Sequence, residues 1–153
     1  MTAELPTSPR LGPDLILHSS FPATSDAVSD QIAQLSETFT GQGLSNDLLN
    51  AVTLVLAEVL NNIVEHALAE ETGTEIDLSV IEETGSLVIE TTDRGRPLPP
   101  DRLSGGELPN LGTDINDLPE GGFGWFIIHA LVDDMTYERH EGANRLSFSF
   151  AME

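Results

Sequence analysis

In the stretch LAEVLNNIVEHA, residues 56–67, the side chains Glu58, Asn62 and His66 recur every four residues within an otherwise apolar run. On a helix they form one stripe along the edge of the face built by Val52, Val55, Leu56, Val59 and Ile63. Asn61 and Glu65 point further out, so Asn62 is the asparagine nearer the interior. A carboxylate and an amide at a core boundary lose hydration unless they find partners, and the pattern predicts a polar cavity beside the helix. A polar stripe simply facing water beside a sheet would use the same residues.

A second group lies downstream. Alternation in SLVIETTD places Leu87, Ile89, Thr91 and Asp93 on one strand face, so Asp93 emerges at the inner edge of a sheet just before RGRP. An aspartate there can accept a hydrogen bond from a flat heterocycle, while Gly95 lets the backbone come close. Asp, Gly and Pro also end strands as ordinary turn formers. The run GGFG, with Gly121, Gly122 and Gly124, opens a helix and offers backbone N–H groups to an anion, although a plain glycine-rich helix start looks the same. Trp125 and His129, in the apolar helix that follows, read as core or core-edge residues.

Holding these groups requires a particular run of elements. DLILHSSF reads as a strand, TSDAVSDQIAQLSETF as a helix with a Thr/Ser/Asp start, and GQGLSND as a break from which Ser45 caps a long helix to about Leu68. TEIDLSVIEE and SLVIETTD alternate as two strands with a hairpin around Glu83–Ser86. Residues 94–123 turn rich in Gly, Pro, Asp and Asn without a sustained period, the mark of a functional lid, placed at about 97–120. GWFIIHALVDD is a helix, and MTYERH, the turn EGAN and RLSFSF close the chain as a hairpin with Leu146, Phe148 and Phe150 on one face. The order β-α-α-β-β-lid-α-β-β predicts an α+β fold, a two-layer sandwich whose mixed, mainly antiparallel sheet carries its helices on one face.

Composition narrows the chemistry. The length of 153 residues suits one domain at 14–153, preceded by a flexible leader at 1–13 that contains three prolines. Cysteine is absent, which excludes disulfides, thiolate metal sites and cysteine nucleophiles. Lysine is absent as well; the basic residues are Arg10, Arg94, Arg96, Arg102, Arg139 and Arg145, so neither a Schiff base nor the lysine of a Walker loop is available. A formal charge of −20 repels nucleic-acid phosphates and anionic membranes, and suits a solvated acidic surface. No apolar run approaches the roughly 20 residues needed to span a bilayer and the polar start MTAELPTSPR lacks a signal-peptide core, so a cytoplasmic location is expected.

Taken together and in this order, Glu58-x-x-x-Asn62-x-x-x-His66, Asp93-x-Gly95-x-Pro97, a glycine-rich lid and Gly121-Gly-Phe-Gly124 opening a helix resemble the GHKL (Bergerat-fold) ATPase and kinase superfamily, with its histidine-kinase-like ATP-binding fold. The short chain looks like the anti-sigma-factor serine/threonine kinases, ATP-binding partner-switching regulators, over about residues 14–152. The resemblance implies ATP and Mg²⁺ as cofactors, Asn62 as the Mg²⁺ ligand, Glu58 as the catalytic base and Asp93 as the reader of the adenine amino group. It extends the binding site to Gly95, Gly121, Gly122 and Gly124, and leaves His66 either orienting the site or capping helix packing. Pro97 stands where the family often has glycine, and LPE, without a basic residue, precedes the phosphate box, so charge compensation falls to Mg²⁺ and the arginines at the start of the lid. The implied partners are an antagonist protein substrate and a sigma factor or similar regulator, and a homodimer is expected. A nucleotide-regulated binding module that sequesters a regulator without phosphoryl transfer is the alternative. A sensor histidine kinase would need a preceding helix pair with a phosphoacceptor histidine, and an ATP-driven clamp a second domain supplying a basic residue.

Overall fold

Hydroxyls start both long helices. The Thr24 Oγ1 accepts from the Ala27 N–H at 3.2 Å and the Ser45 Oγ from the Leu48 N–H at 3.1 Å, each cap contributing about 1 kcal/mol. The computed structural model describes residues 14–41, 44–70, 74–98 and 122–152. The expected leader, the expected lid beyond Leu98, Gly121 and the side chain of His66 fall outside what is described.

The elements are β1 (Asp14–Pro22), α1 (Ser25–Gly41), α2 (Asn46–Glu70), β2 (Glu75–Glu83), β3 (Ser86–Asp93), α3 (Gly122–Leu131), β4 (Asp134–His140) and β5 (Ala143–Ala151). Two hairpins turn through left-handed pairs, Thr84–Gly85 with φ of 43° and 80° and Glu141–Gly142 with φ of 52° and 80°, the two-residue geometry that matches strand twist. The sheet runs β1-β2-β3-β5-β4, with all four pairings antiparallel. The mixed sheet expected from sequence is thus corrected. β4 does run parallel to β3, but its hairpin partner β5 lies between them, so no parallel ladder forms.

One face of this sheet carries Ile76, Leu78, Val80, Leu87, Ile89, Leu146, Phe148 and Phe150, all buried. Val52, Val55, Leu56, Val59, Leu60 and Ile63 of α2 meet it, and Val28, Leu35 and Phe39 of α1 join the same core. This is the α+β sandwich anticipated above. On length and composition alone Asn46–Glu65, with mean hydropathy 1.4, would suffice to cross a bilayer, which corrects the expectation that no segment would. Here its apolar stripe is the centre of the core.

Candidate functional site

The inner face of the sheet changes from apolar to polar at one end. Along β3 the alternation Leu87, Ile89, Thr91, Asp93 stays buried to its last member, and Asp93 is 8% exposed. Opposite it in register stands Asn144 of β5, 5% exposed. On α2, Asn62 is buried at 8% while Asn61 is exposed, as the helical wheel requires. These side chains meet around one cavity. Its apolar wall is Val59, Ile63, Leu98, Trp125 and Leu146, and its polar wall is Asn62, Thr91, Asp93, Arg96, Tyr137 and Asn144. The cavity leaves about 20 Å³ free, room for about one water. A larger recess of about 710 Å³, between Ile16, Leu48, Leu131 and Phe150, contains none of the candidate site residues.

A hydrogen-bonded clamp fixes Asp93 and the loop after it. Gly95 N–H donates to Asp93 Oδ2 at 2.8 Å, and Asn144 Nδ2 donates to the same oxygen at 3.3 Å and to the carbonyls of Gly95 and Arg96 at 3.2 and 2.8 Å. Asn144 Oδ1 in turn accepts from Tyr137 Oη at 2.6 Å and Arg139 Nη1 at 2.9 Å. Arg139 Nη1 also donates to the Gly95 carbonyl at 2.9 Å, and the Leu98 N–H donates to Tyr137 Oη at 3.1 Å. Both protein bonds to Asp93 fall on Oδ2, which leaves Oδ1 without a donor among the described residues. A Cβ at Gly95 would lie 2.9 Å from Asp93 Oδ2, so glycine is what lets the loop fold back onto the carboxylate.

Glu58 and Asn62 are linked through the helix: Asn62 Nδ2 donates to the Glu58 carbonyl at 2.8 Å. That bond sets which end of the amide is the oxygen. The Glu58 carboxylate reaches across to α3, where Oε1 sits against Gly124 so closely that a Cβ there would collide with it. Helix α3 begins at Gly122, two residues before the expected Gly124, so the glycines form its first turn, where backbone N–H groups lack intrahelical acceptors.

The structure therefore brings Asn62 and Asp93 to one cavity, holds Gly95 against the Asp93 carboxylate and sets Glu58 against Gly124. Of the arginines near the lid, Arg96 lines the cavity, whereas Arg94 Nη1 donates to the Glu141 carbonyl at 3.2 Å. Sequence reasoning missed Tyr137, Arg139, Asn144 and the position of Trp125 on the wall. Carrying the alternation of Leu146, Phe148 and Phe150 back one step would have placed Asn144 on the inner face; Tyr137 and Arg139 have no such signal, because their role depends on β5 lying beside β3.

The histidine kinase-like ATPase domain matches this chain over residues 21–150. Among solved structures, the RsbU and RsbW domains of Rv1364c from Mycobacterium tuberculosis share its fold, with 18% identity and a TM-score of 0.59 over 89% of this chain and 32% of that one. The chain thus spans a minor part of that structure's length. No curated protein matches. A match that runs from the end of β1 to the end of β5 takes in every wall of the cavity, and the chain belongs to the histidine kinase-like ATPase domain family.

Proposed function

We propose that the cavity takes the adenine of ATP and that the domain is a protein serine/threonine kinase of the anti-sigma-factor type. It would phosphorylate an antagonist protein in a partner-switching system and, in the other arm of the switch, hold a sigma factor or similar regulator. The observation that carries this reading is the convergence of Asp93 and Asn62 on one half-apolar cavity that Trp125, in the first turn of α3, also lines. The family match and the fold shared with an RsbW domain support it.

The residues present suit such a ligand. Asp93 Oδ1, with Oδ2 engaged by the loop, would accept from the adenine amino group. The cavity holds about one water, so binding the base would require its wall to widen. The first-turn amides of α3, at Gly122 and Gly124, and Gly121 before them would face the phosphates. Asn62 would hold Mg²⁺ through its amide oxygen, sharing the ion with phosphate and water, the ligand set that Mg²⁺ favours. Among the described residues no cluster of three His, Asp or Glu side chains offers an all-protein site. The ion supplies charge neutralisation on the transferred group. Glu58 is the base: it takes the proton of the substrate hydroxyl as that oxygen bonds to the γ-phosphorus and the bond to the β-phosphate oxygen breaks. His66 keeps two roles, orienting the site or capping helix packing. The same reading places the protein in the cytoplasm and includes a homodimer.

Calorimetry tests the nucleotide site. Asp93→Asn should weaken ATP about 5- to 150-fold, the equivalent of about 1–3 kcal/mol for an unpaired buried group, and equal affinity removes the assignment. Incubation with labelled ATP and candidate partners tests the kinase. A wild type that binds ATP yet labels no cognate partner identifies the domain as the nucleotide-regulated binding module instead.

A further inference from the structure

Two enclosed side-chain atoms lack a hydrogen-bond partner among the described residues, Gln31 Oε1 and Trp125 Nε1. Gln31 belongs to α1 and does not line the cavity; Trp125 does, together with Asn62, Asp93 and Asn144. Its ring is 4% exposed and leans on His129, one helical turn on, with centroids 6.1 Å apart and planes at 40°. If packing were its whole purpose, a phenylalanine would fill much of the space without stranding a donor in a dry environment, which carries a free-energy penalty.

The remaining polar groups show what is missing. Asn144, Tyr137 and Arg139 are engaged with one another and with the loop. Asp93 offers acceptor capacity, and the Thr91 hydroxyl can act either way. An indole N–H is donor only. The adenine of a nucleoside has the matching complement, one exocyclic amino donor and N1, N3 and N7, which only accept. Resting on the nucleotide reading above, we propose that Trp125 is a ligand-binding residue whose indole N–H donates to a ring nitrogen of the base that Asp93 reads. Asp93 and Trp125 then select adenine jointly, the first by its amine and the second by an acceptor.

The test is a calorimetric series with adenosine and its 1-, 3- and 7-deaza analogues on wild type and Trp125→Phe, with thermal unfolding of both ligand-free proteins. The variant should be as stable as wild type or more so, because the stranded donor is gone, and should bind adenosine about 5- to 150-fold more weakly. One deaza analogue should lose a similar factor on wild type and little further on the variant, the non-additivity expected of two groups in contact. Because Trp125 is the chain's one tryptophan, wild-type emission gives a second readout that needs no variant: it should shift with adenosine and not with that analogue. Full adenosine affinity in Trp125→Phe, or losses that add for all three analogues, overturns the assignment while leaving the nucleotide site standing. A wild type that binds neither adenosine nor ATP overturns both.

Discussion

The contact between Glu58 and Gly124 separates folding from chemistry at a single residue. The group a methyl at Gly124 would strike is the end of a flexible carboxylate, so the fold can absorb Gly124→Ala by moving Glu58. Alanine is the better helix former by about 1 kcal/mol, and the variant should melt at the same temperature or higher. Phosphoryl transfer should nevertheless fall by roughly 10²-fold, as expected when a reacting group is misplaced by about an ångström. Glu58→Gln keeps the position and removes the proposed base, so on that proposal it should lose on the order of 10²–10⁴ in transfer rate with ATP affinity within a few-fold. Single-turnover transfer beside unfolding curves distinguishes the two, and normal transfer by both would leave Glu58 a structural acid. That helix position was legible because periodicity reports which side of a helix is wet: it separated Asn62 from Asn61 without a structure. Trp125 was not, because hydrophobic pattern registers the ring and is silent about the N–H.

Among elements, the hairpin β4–β5 acts as the clamp on the loop at 94–98. Asn144 at its inner end joins Asp93, Gly95, Arg96, Tyr137 and Arg139 in one network. Asn144→Ala strands several of these partners at once and should lower stability by about 1–3 kcal/mol. The loss should be local. Amides of Gly95 and Leu98, which donate to Asp93 and Tyr137, should exchange faster in the variant, while those of Ile89 and Phe148 in the sheet centre still open only with global unfolding. Unchanged exchange at Gly95 and Leu98 would show that the loop is held by other means. Strand limits and turns could be found from alternation and from the Thr-Gly and Glu-Gly pairs, which are local signals. Which strand lies beside which is non-local, and for that reason the insertion of β5 between β3 and β4, and the clamp it creates, stayed hidden. The start of α3 shifted by two residues for a related reason: glycines in a first helical turn read as loop.

For the whole molecule the governing quantity is charge. Acidic side chains outnumber basic ones by 26 to 6, a net of −20, and self-repulsion of that kind disfavours a compact state. At about 10 mM salt the Debye length is about 30 Å, longer than the radius of gyration of roughly 15 Å expected for a chain of this size, so acids repel one another well beyond their immediate neighbours. At about 150 mM it is about 8 Å, and only neighbours interact. Screening also weakens attractive pairs, but among the described residues the ion pairs of Arg145 with Glu90 and Glu138, at 3.7 and 3.6 Å, rest on an arginine side chain 57% exposed, that of His140 with Glu141 is more exposed still, and such pairs contribute little. Repulsion therefore dominates the balance, and stability should rise with salt. Relief of about 2 kcal/mol would raise Tm by roughly 4–8 °C at this chain length. Sodium and choline chloride should act alike, since screening depends on ionic strength and not on a bound cation. A Tm that is flat or falls between those concentrations would mean that local pairings outweigh the net charge, and a rise confined to one cation would point to a specific ion site.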